Sequence, residues 1–300
     1  MKSMPILFVS RNTRKTAAVS SSPPEGSRSS FREWRRAAAP FALLLLTLPL
    51  TAQMTVPKLG TVRSADGALH SVQGLPNNLI VSDLAFDPTD AASFSDKGGL
   101  VSHQGMIRLL GADLAVIGEY ATAEKAPLLN MDSDQTSALA WLPSSQTLVR
   151  WDGQQFDAFS LAGIDLEGKV TSLQAVSTKQ VRLLVTHADG TVDGITVSTR
   201  NGNLVSSEPL IGVRGYAFSQ SFFVVYVEGK ELVADNLRGY RRTLALPATD
   251  LVMEHMSNNW IHLSSASLKQ DWALHLTQAE FEISLLPAMS TLTTASREAK

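Results

Sequence analysis

The spacing of the turns constrains the fold of this chain more than any other feature. Asp66-Gly67, Gly111, Asp152-Gly153, Asn201-Gly202, Arg238-Gly239 and Gln278-Ala279 each divide an apolar run from a second extended run. From Gly67 to Ala279 is 212 residues in five steps, an average near 42. A second series, Ser144-Ser145, Asp189-Gly190, Glu228-Gly229 and Leu268-Lys269, repeats at about the same step one hairpin earlier. Two turns per period of roughly 42 residues is the spacing of four-stranded β-propeller blades. Between the turns lie short β-branched and aromatic runs such as "QVRLLVTHA" and "SFFVVYVEG". No stretch after Gln53 carries a helical period.

The residues from Lys169 to Leu210 parse as one whole blade: "VTSLQAV", "QVRLLVTHA", "TVDGITVST" and "NLVSSEPL". Counting in this way gives five four-stranded blades between about 78 and 287, preceded by the hairpin "LGTVRSADGALHSVQG". An open ring leaves sheet edges exposed. The Thr61–Val72 hairpin is therefore expected to supply a sixth, incomplete blade. Val62, Leu69 and Val72 would pack against the first and last blades, with help from residues 288–296. The propeller domain is expected over 57–287, followed by a flexible tail over 288–300. A large β-sandwich is the alternative for a similar strand count.

Two short stretches support the propeller. "VRWDG" at 149–153 resembles the end of a WD40 third strand, although only one blade has it. "DLAFDPT" at 83–89 is similar to the inner strand of secreted bacterial propellers of the YVTN and NHL kind. Each covers five to seven residues, and neither carries a functional residue with it.

The N-terminus differs from the rest. Residues 1–52 hold eight of the 26 Lys/Arg and two of the 28 Asp/Glu, so residues 53–300 stand at a formal charge of −8. Gripping a phosphate backbone requires clustered positive charge, and nucleic acid is set aside as a partner. Residues 1–36 read as a disordered basic leader, which an upstream misassigned start codon would also explain. In residues 37–53, "AAAPFALLLLTLPLTAQ", the 14-residue apolar run Ala37–Leu50 has the length of a signal-peptide core and is short for a bilayer span. Cleavage near Ala52 or Gln53 is expected, and the alternative is an uncleaved anchor. The expected address is the periplasm or the extracellular space. Without cysteine the chain cannot be a lipoprotein, carries no disulfide, and has neither thiol catalysis nor Cys-ligated zinc.

The stretch that most looks like chemistry is "HADGTVDG", with His187, Asp189 and Asp193 within seven residues. A calcium loop starting at Asp189 would place Thr191 and Asp193 at positions 3 and 5. Position 12, which needs a bidentate carboxylate, would be Arg200. Asp189-Gly190 and Asn201-Gly202, 12 residues apart, are instead strong signals for two-residue hairpin turns with φ > 0 at both central positions. The aspartates are read as turn residues, and no metal or cofactor is expected. His255 and His262 fall on adjacent strands, whereas His70, His103 and His275 stand alone. No P-loop, G-x-G-x-x-G or G-x-S-x-G pattern occurs. Trp141, Trp151, Trp260 and Trp272 fall in second and third strands, where aromatics fill the space between blades. The alternative is a partner-binding patch. "LRGYRR" at 237–242 reads as a solvated turn or a contact for an acidic partner.

Two functions are compatible with these residues. The first is an exported, non-enzymatic propeller that binds a protein or a cell-envelope component, with no catalytic residue assigned. The second is a lactonase-like hydrolase on the same scaffold, with acids drawn from several blades to the channel mouth. Asp83, Asp132 and Glu254 are its candidates. Three or more acids converging on the channel would favour the hydrolase, and a channel without them the binder.

Overall fold

The computed structural model describes residues 56–131 and 138–289, all within one compact unit. Residues 1–55, on which the leader and signal-peptide expectations fall, residues 132–137 with Asp132, and residues 290–300 lie outside the described residues. Six antiparallel sheets form a six-blade β-propeller, five of four strands and one of three. Blade 1 is β1 (Lys58–Arg63), β2 (Leu69–Leu75) and β3 (Asn78–Asp83). Blade 2 is β4 (Ala91–Ser95), β5 (Gly98–His103), β6 (Met106–Gly111) and β7 (Val116–Ala121). Blade 3 is β8 (Leu128–Met131), β9 (Ala138–Leu142), β10 (Thr147–Trp151) and β11 (Phe156–Ser160). Blade 4 is β12 (Lys169–Ser177), β13 (Gln180–Thr186), β14 (Thr191–Ser198) and β15 (Leu204–Arg214). Blade 5 is β16 (Ala217–Gln220), β17 (Phe223–Glu228), β18 (Glu231–Asp235) and β19 (Arg241–Ala245). Blade 6 is β20 (Leu251–Ser257), β21 (Trp260–Ser265), β22 (Gln270–Leu276) and β23 (Phe281–Leu285).

The core lies between blades. Side chains alternate across a strand, and a blade's inner strands have a neighbour on each face. In β13, Val181, Leu183 and Val185 face blade 3 while Leu184 faces blade 5. This two-sided burial is why "VRLLV" is apolar without alternation. Six buried clusters fill the six gaps around the ring. Trp151 fills the gap between blades 2 and 3, Trp141 that between 3 and 4, Trp272 that between 5 and 6, and Trp260 that between 6 and 1. All four are interior residues, as expected from their strand positions.

Blade 1 closes the ring. Val62 and Val72 pack with Met256, Trp260 and Ala273 of blade 6, and Leu69 packs with Phe94 and Leu110 of blade 2. Burying each of these side chains stabilises the closed ring by about 1.5–3 kcal/mol. Met289, near the end of the described chain, packs onto the same cluster as Val62.

The blade count is six, but the phase expected at the N-terminus is wrong. "NLIVSD" is the third strand of blade 1, and the complete blades run from Ala91 to Leu285. "DLAFDPT" is correspondingly the end of β3 and the link to β4, not an inner strand. Polarity explains the shift. Gly60 lies against Met256, where an added Cβ would come within 2.3 Å of the carbonyl oxygen, and Arg63 meets Glu254 at 2.7 Å. Residue numbers thus rise along β1 as they fall along β20. The strands of blade 1 have the directions of the second, third and fourth strands of the other blades. The Asp66-Gly67 turn accordingly has the hydrogen bonds of the Asp189-Gly190 turn. Ser64 N donates to Ala68 O and Gly67 N to Ser64 O, as His187 N does to Thr191 O and Gly190 N to His187 O.

Candidate functional site

The five inner strands β4, β8, β12, β16 and β20 are joined in a ring by side-chain hydrogen bonds. Met131 N donates to Ser93 Oγ (2.8 Å), tying blade 3 to blade 2. Asn130 Nδ2 donates to Leu173 O (2.6 Å), tying blade 3 to blade 4. Ser219 N donates to Ser172 Oγ (2.9 Å), tying blade 5 to blade 4. Gln220 Nε2 donates to Ser257 O (2.9 Å) and Asn258 O (2.8 Å), tying blade 5 to blade 6. Asn258 Nδ2 donates to Asp96 Oδ2 (2.7 Å) and completes the circle between blades 6 and 2. The channel is therefore a packed polar seam.

Where the inner strands end, the seam opens into a cavity of about 40 Å³, room for a few waters. Asn130, Met131, Gln174, Ser219, Gln220, Ser221, His255, Ser257 and Asn258 surround it. Ser219 Oγ donates to Gln174 Oε1 (2.8 Å) and Gln174 Nε2 to Ser221 O. The Asn130 amide also points its nitrogen at His255 Nε2, 3.2 Å away. That nitrogen must accept, so the imidazole is neutral. Burial pulls His255 down to about 4, Glu254 opposing only weakly. Phe222 stands at the tip of the β16–β17 turn, next to Ser221, and is 80% exposed. Val176, near the end of β12, is also exposed.

The sequence candidates lie elsewhere. Glu254 pairs with Arg63 of blade 1 and sits 3.7 Å from His262 Nδ1, which is ion-pair reach but too long for a hydrogen bond. Burial pushes its carboxyl up, but His262 and the Arg63 guanidinium outweigh burial and hold it below the usual range. His262 Nε2 contacts Asp271 at 2.9 Å. Burial lowers this imidazole, and Asp271 and Glu254 together raise it above its ordinary value. Asp83 is on β3, 3.0 Å from His70 Nδ1. Neither acid lines the cavity, and Asp132 lies outside the described residues.

His70 and His275 do not stand alone. His70 is paired with Asp83, and His275 Nδ1 meets Glu280 Oε2 at 3.0 Å while its ring stacks on Trp260. The pairing of His70 with Asp83 was readable: with a turn at Pro76-Asn77, these two residues fall opposite each other in the β2–β3 ladder. His70 Nε2 also contacts Ser64 Oγ at 3.1 Å, giving the connectivity of a Ser-His-Asp triad. The chemistry does not follow. Ser64 and His70 are buried, and the Ser64 hydroxyl directs its proton to Asp66 Oδ1 at 2.5 Å. The three residues brace the turn between β1 and β2.

In "HADGTVDG", Asp189 Oδ1 accepts from Thr191 N (2.9 Å) and Thr191 Oγ1 (2.7 Å), which hold its carboxyl below the usual range. Gly190 takes φ 83, but Asp189 does not take positive φ. The turn is thus a type I turn closed by a left-handed glycine, not the two-residue form expected. Asp193 is not a turn residue: it pairs with His187 Nε2 at 3.2 Å, and His187 Nδ1 contacts Glu167 O. In "LRGYRR", Arg242 donates to Ala279 O (2.8 Å) of blade 6 and Arg241 pairs with Glu228, so two of the three arginines are spent within the propeller.

No protein-family profile and no curated protein matches the chain. Among solved structures it resembles PorZ, an essential bacterial surface component of the type-IX secretion system of Porphyromonas gingivalis, at 15% identity and TM-score 0.40 over 77% of this chain. The chain spans 38% of PorZ's length. A protein of unknown function from Bacteroides caccae matches at 13% identity and TM-score 0.45, over 74% of this chain and 90% of that one. Hsv2 of Kluyvelomyces marxianus matches at 10% identity and TM-score 0.39, over 74% and 81% of the two chains. Likeness at this level carries nothing about function, and the propeller rests on the six sheets themselves.

Proposed function

We propose that the chain is an exported binding module, a rigid propeller that presents the cavity mouth to a component of the cell envelope. The observation that carries this reading is the mouth itself. Its lining is amide, hydroxyl, the Met131 thioether and one neutral imidazole, with no carboxylate or ammonium among the described lining residues. A hydrolase of the kind considered from sequence would bring Asp83, Asp132 and Glu254 there; Asp83 and Glu254 are engaged elsewhere, and Asp132 lies outside the described residues. The exposed ring of Phe222 beside that lining suits contact rather than turnover, since exposed aromatics concentrate binding energy at interfaces. The export part of the proposal rests on the basic flank and apolar core of residues 1–53.

The test is retention of solubilised envelope material on the immobilised protein, compared with Phe222→Ala. Retention that the substitution abolishes supports the reading. Retention indifferent to Phe222 would move the site off this face, and turnover of ester or lactone substrates would replace the reading with an enzymatic one.

A further inference from the structure

The seam between blades 6 and 1, where the first and last blades meet, contains an ionic cluster. The ion pairs Arg108–Glu119, Arg182–Glu208 and Arg241–Glu228 each stay within one blade. Arg63 instead reaches from β1 to Glu254 of β20 at 2.7 Å. Opposite Glu254 in the β20–β21 ladder stands His262, which is 2% exposed. Its Nε2 meets Asp271 Oδ1 of β22 at 2.9 Å. Its Nδ1 faces Glu254 Oε2 at 3.7 Å and has no hydrogen-bond partner among the described residues. Both ring nitrogens thus face a carboxylate oxygen. Only the imidazolium carries a proton on each nitrogen. A neutral ring must turn a lone pair on one of the two carboxylates. Charge points the same way. With the proton, Arg63 and His262 balance Glu254 and Asp271; without it, one cation stands against two carboxylates in a partly buried place, where unbalanced charge is costly.

We propose that this cluster is a proton-operated latch on the ring: protonated His262 holds Glu254 in place for Arg63 and keeps blade 1 on blade 6, and loss of that proton lets blade 1 open locally. Blade 1 is built for such opening. It has three strands where the other blades have four. The inner ring is closed without it, through the bond from Asn258 of blade 6 to Asp96 of blade 2. The other titratable groups at this seam do not replace the proton. His70, opposite Val62 in the β1–β2 ladder, is paired with Asp83 at 3.0 Å. His275, opposite Trp260, is paired with Glu280 at 3.0 Å. Lys58 and Glu282 are exposed, and His255 packs on Phe218 of blade 5. Burial lowers the His262 imidazole, and Asp271 and Glu254 outweigh burial. The closed seam therefore holds the proton more tightly than the open one. The latch is fully shut below the ordinary value of 6.5, loosens as pH rises through the folded value, and stays loose above it.

The experiment is hydrogen–deuterium exchange of the whole chain at about pH 6, 7, 8 and 9, a range that starts below the ordinary histidine value. Exchange is read as protection factors, so that the intrinsic pH dependence of amide exchange cancels. The amides of β1–β3 should lose protection relative to those of β13 and β14 as pH rises, by up to about tenfold per pH unit, the limit for one linked proton. His262→Gln, which cannot ionise, should show no such drop. That variant alters a buried position, so His262 is also titrated by NMR in the unsubstituted chain. Its midpoint should lie above the ordinary value, and the loss of protection should level off there. Protection of β1–β3 that does not change with pH overturns the latch. So does an equal loss in His262→Gln, a midpoint at or below the ordinary value, or a loss spread evenly over all six blades.

Discussion

His255 should make this propeller acid-labile in a way that one substitution removes. Its Nε2 faces the Asn130 amide nitrogen, whose orientation is fixed by the bond to Leu173 O. Protonation would set two N–H donors against each other. The ring centroid lies 4.5 Å from that of Phe218, and Glu254, the acid that opposes burial, is already held by Arg63. Burial accordingly holds the folded-state value at about 4, against an ordinary 6.5. A histidine depressed in this way contributes its full stability above pH 6.5, and the contribution drains away as pH falls toward 4, because the unfolded chain takes up the proton first. At pH 4.5 the loss amounts to roughly 2.5 kcal/mol at 1.36 kcal/mol per unit. Urea unfolding followed by tryptophan fluorescence at pH 7.0, 5.5 and 4.5 measures it (about these values suffice to bracket the window). Carboxylates also titrate there, so the comparison is with His255→Gln, which keeps an acceptor for Asn130 and cannot ionise. The wild type should lose roughly 2.5 kcal/mol more than the variant between the extremes. Identical pH profiles, or a histidine titrating near its ordinary value by NMR, would refute the argument.

Other outcomes follow from the same contacts. His262 carries the opposite sign: its raised value means stability present below pH 6.5 and lost as pH rises through the folded value, so an NMR titration should find its midpoint above the ordinary histidine value. Arg63→Met should cost about 2–3 kcal/mol by leaving Glu254 partly buried without its partner, and Glu254→Met added to it should restore much of the loss, in a double-mutant cycle by urea unfolding. Millimolar calcium should not raise the melting temperature, and Asp193→Ala should not change that response, because Asp193 is committed to His187. N-terminal sequencing of the exported protein should begin near Gln53 or Met54, and finding residues 10–30 intact would contradict the signal reading.

The repeat was legible in sequence because turns have their own chemistry. Gly190 takes φ 83 and Gly202 φ 70, conformations that glycine adopts freely, and such residues mark the hairpins at a distance. The phase of blade 1 was not legible, because Asp66-Gly67 reads the same whether it joins first to second or second to third strands. Strand polarity relative to β20 is set by Gly60 meeting Met256 and Arg63 meeting Glu254, pairs nearly two hundred residues apart. The channel mouth was illegible altogether. Asn130, Gln174, Gln220 and His255 come from four blades, and each alone is an ordinary polar residue in a strand. What distinguishes Gln220 is that both of its amide hydrogens are spent on blade 6 while its oxygen has no partner among the described residues.

The claim on which all of this stands is that the N-terminal sheet is a blade of the ring and not an appendage. The direct measurement is the unfolding transition and solution state of the chain beginning at Leu84, beside the chain beginning at Gln53. Removing β1–β3 strips Val62, Val72 and Leu79 from Trp260 and Met256, and Leu69 from Phe94, while leaving strand edges open to pair with other chains. The loss should exceed the roughly 0.5–3 kcal/mol of a typical point substitution, and the shortened chain should melt far lower or aggregate. A shortened chain that stays monomeric and unfolds at the same temperature would contradict the six-blade ring.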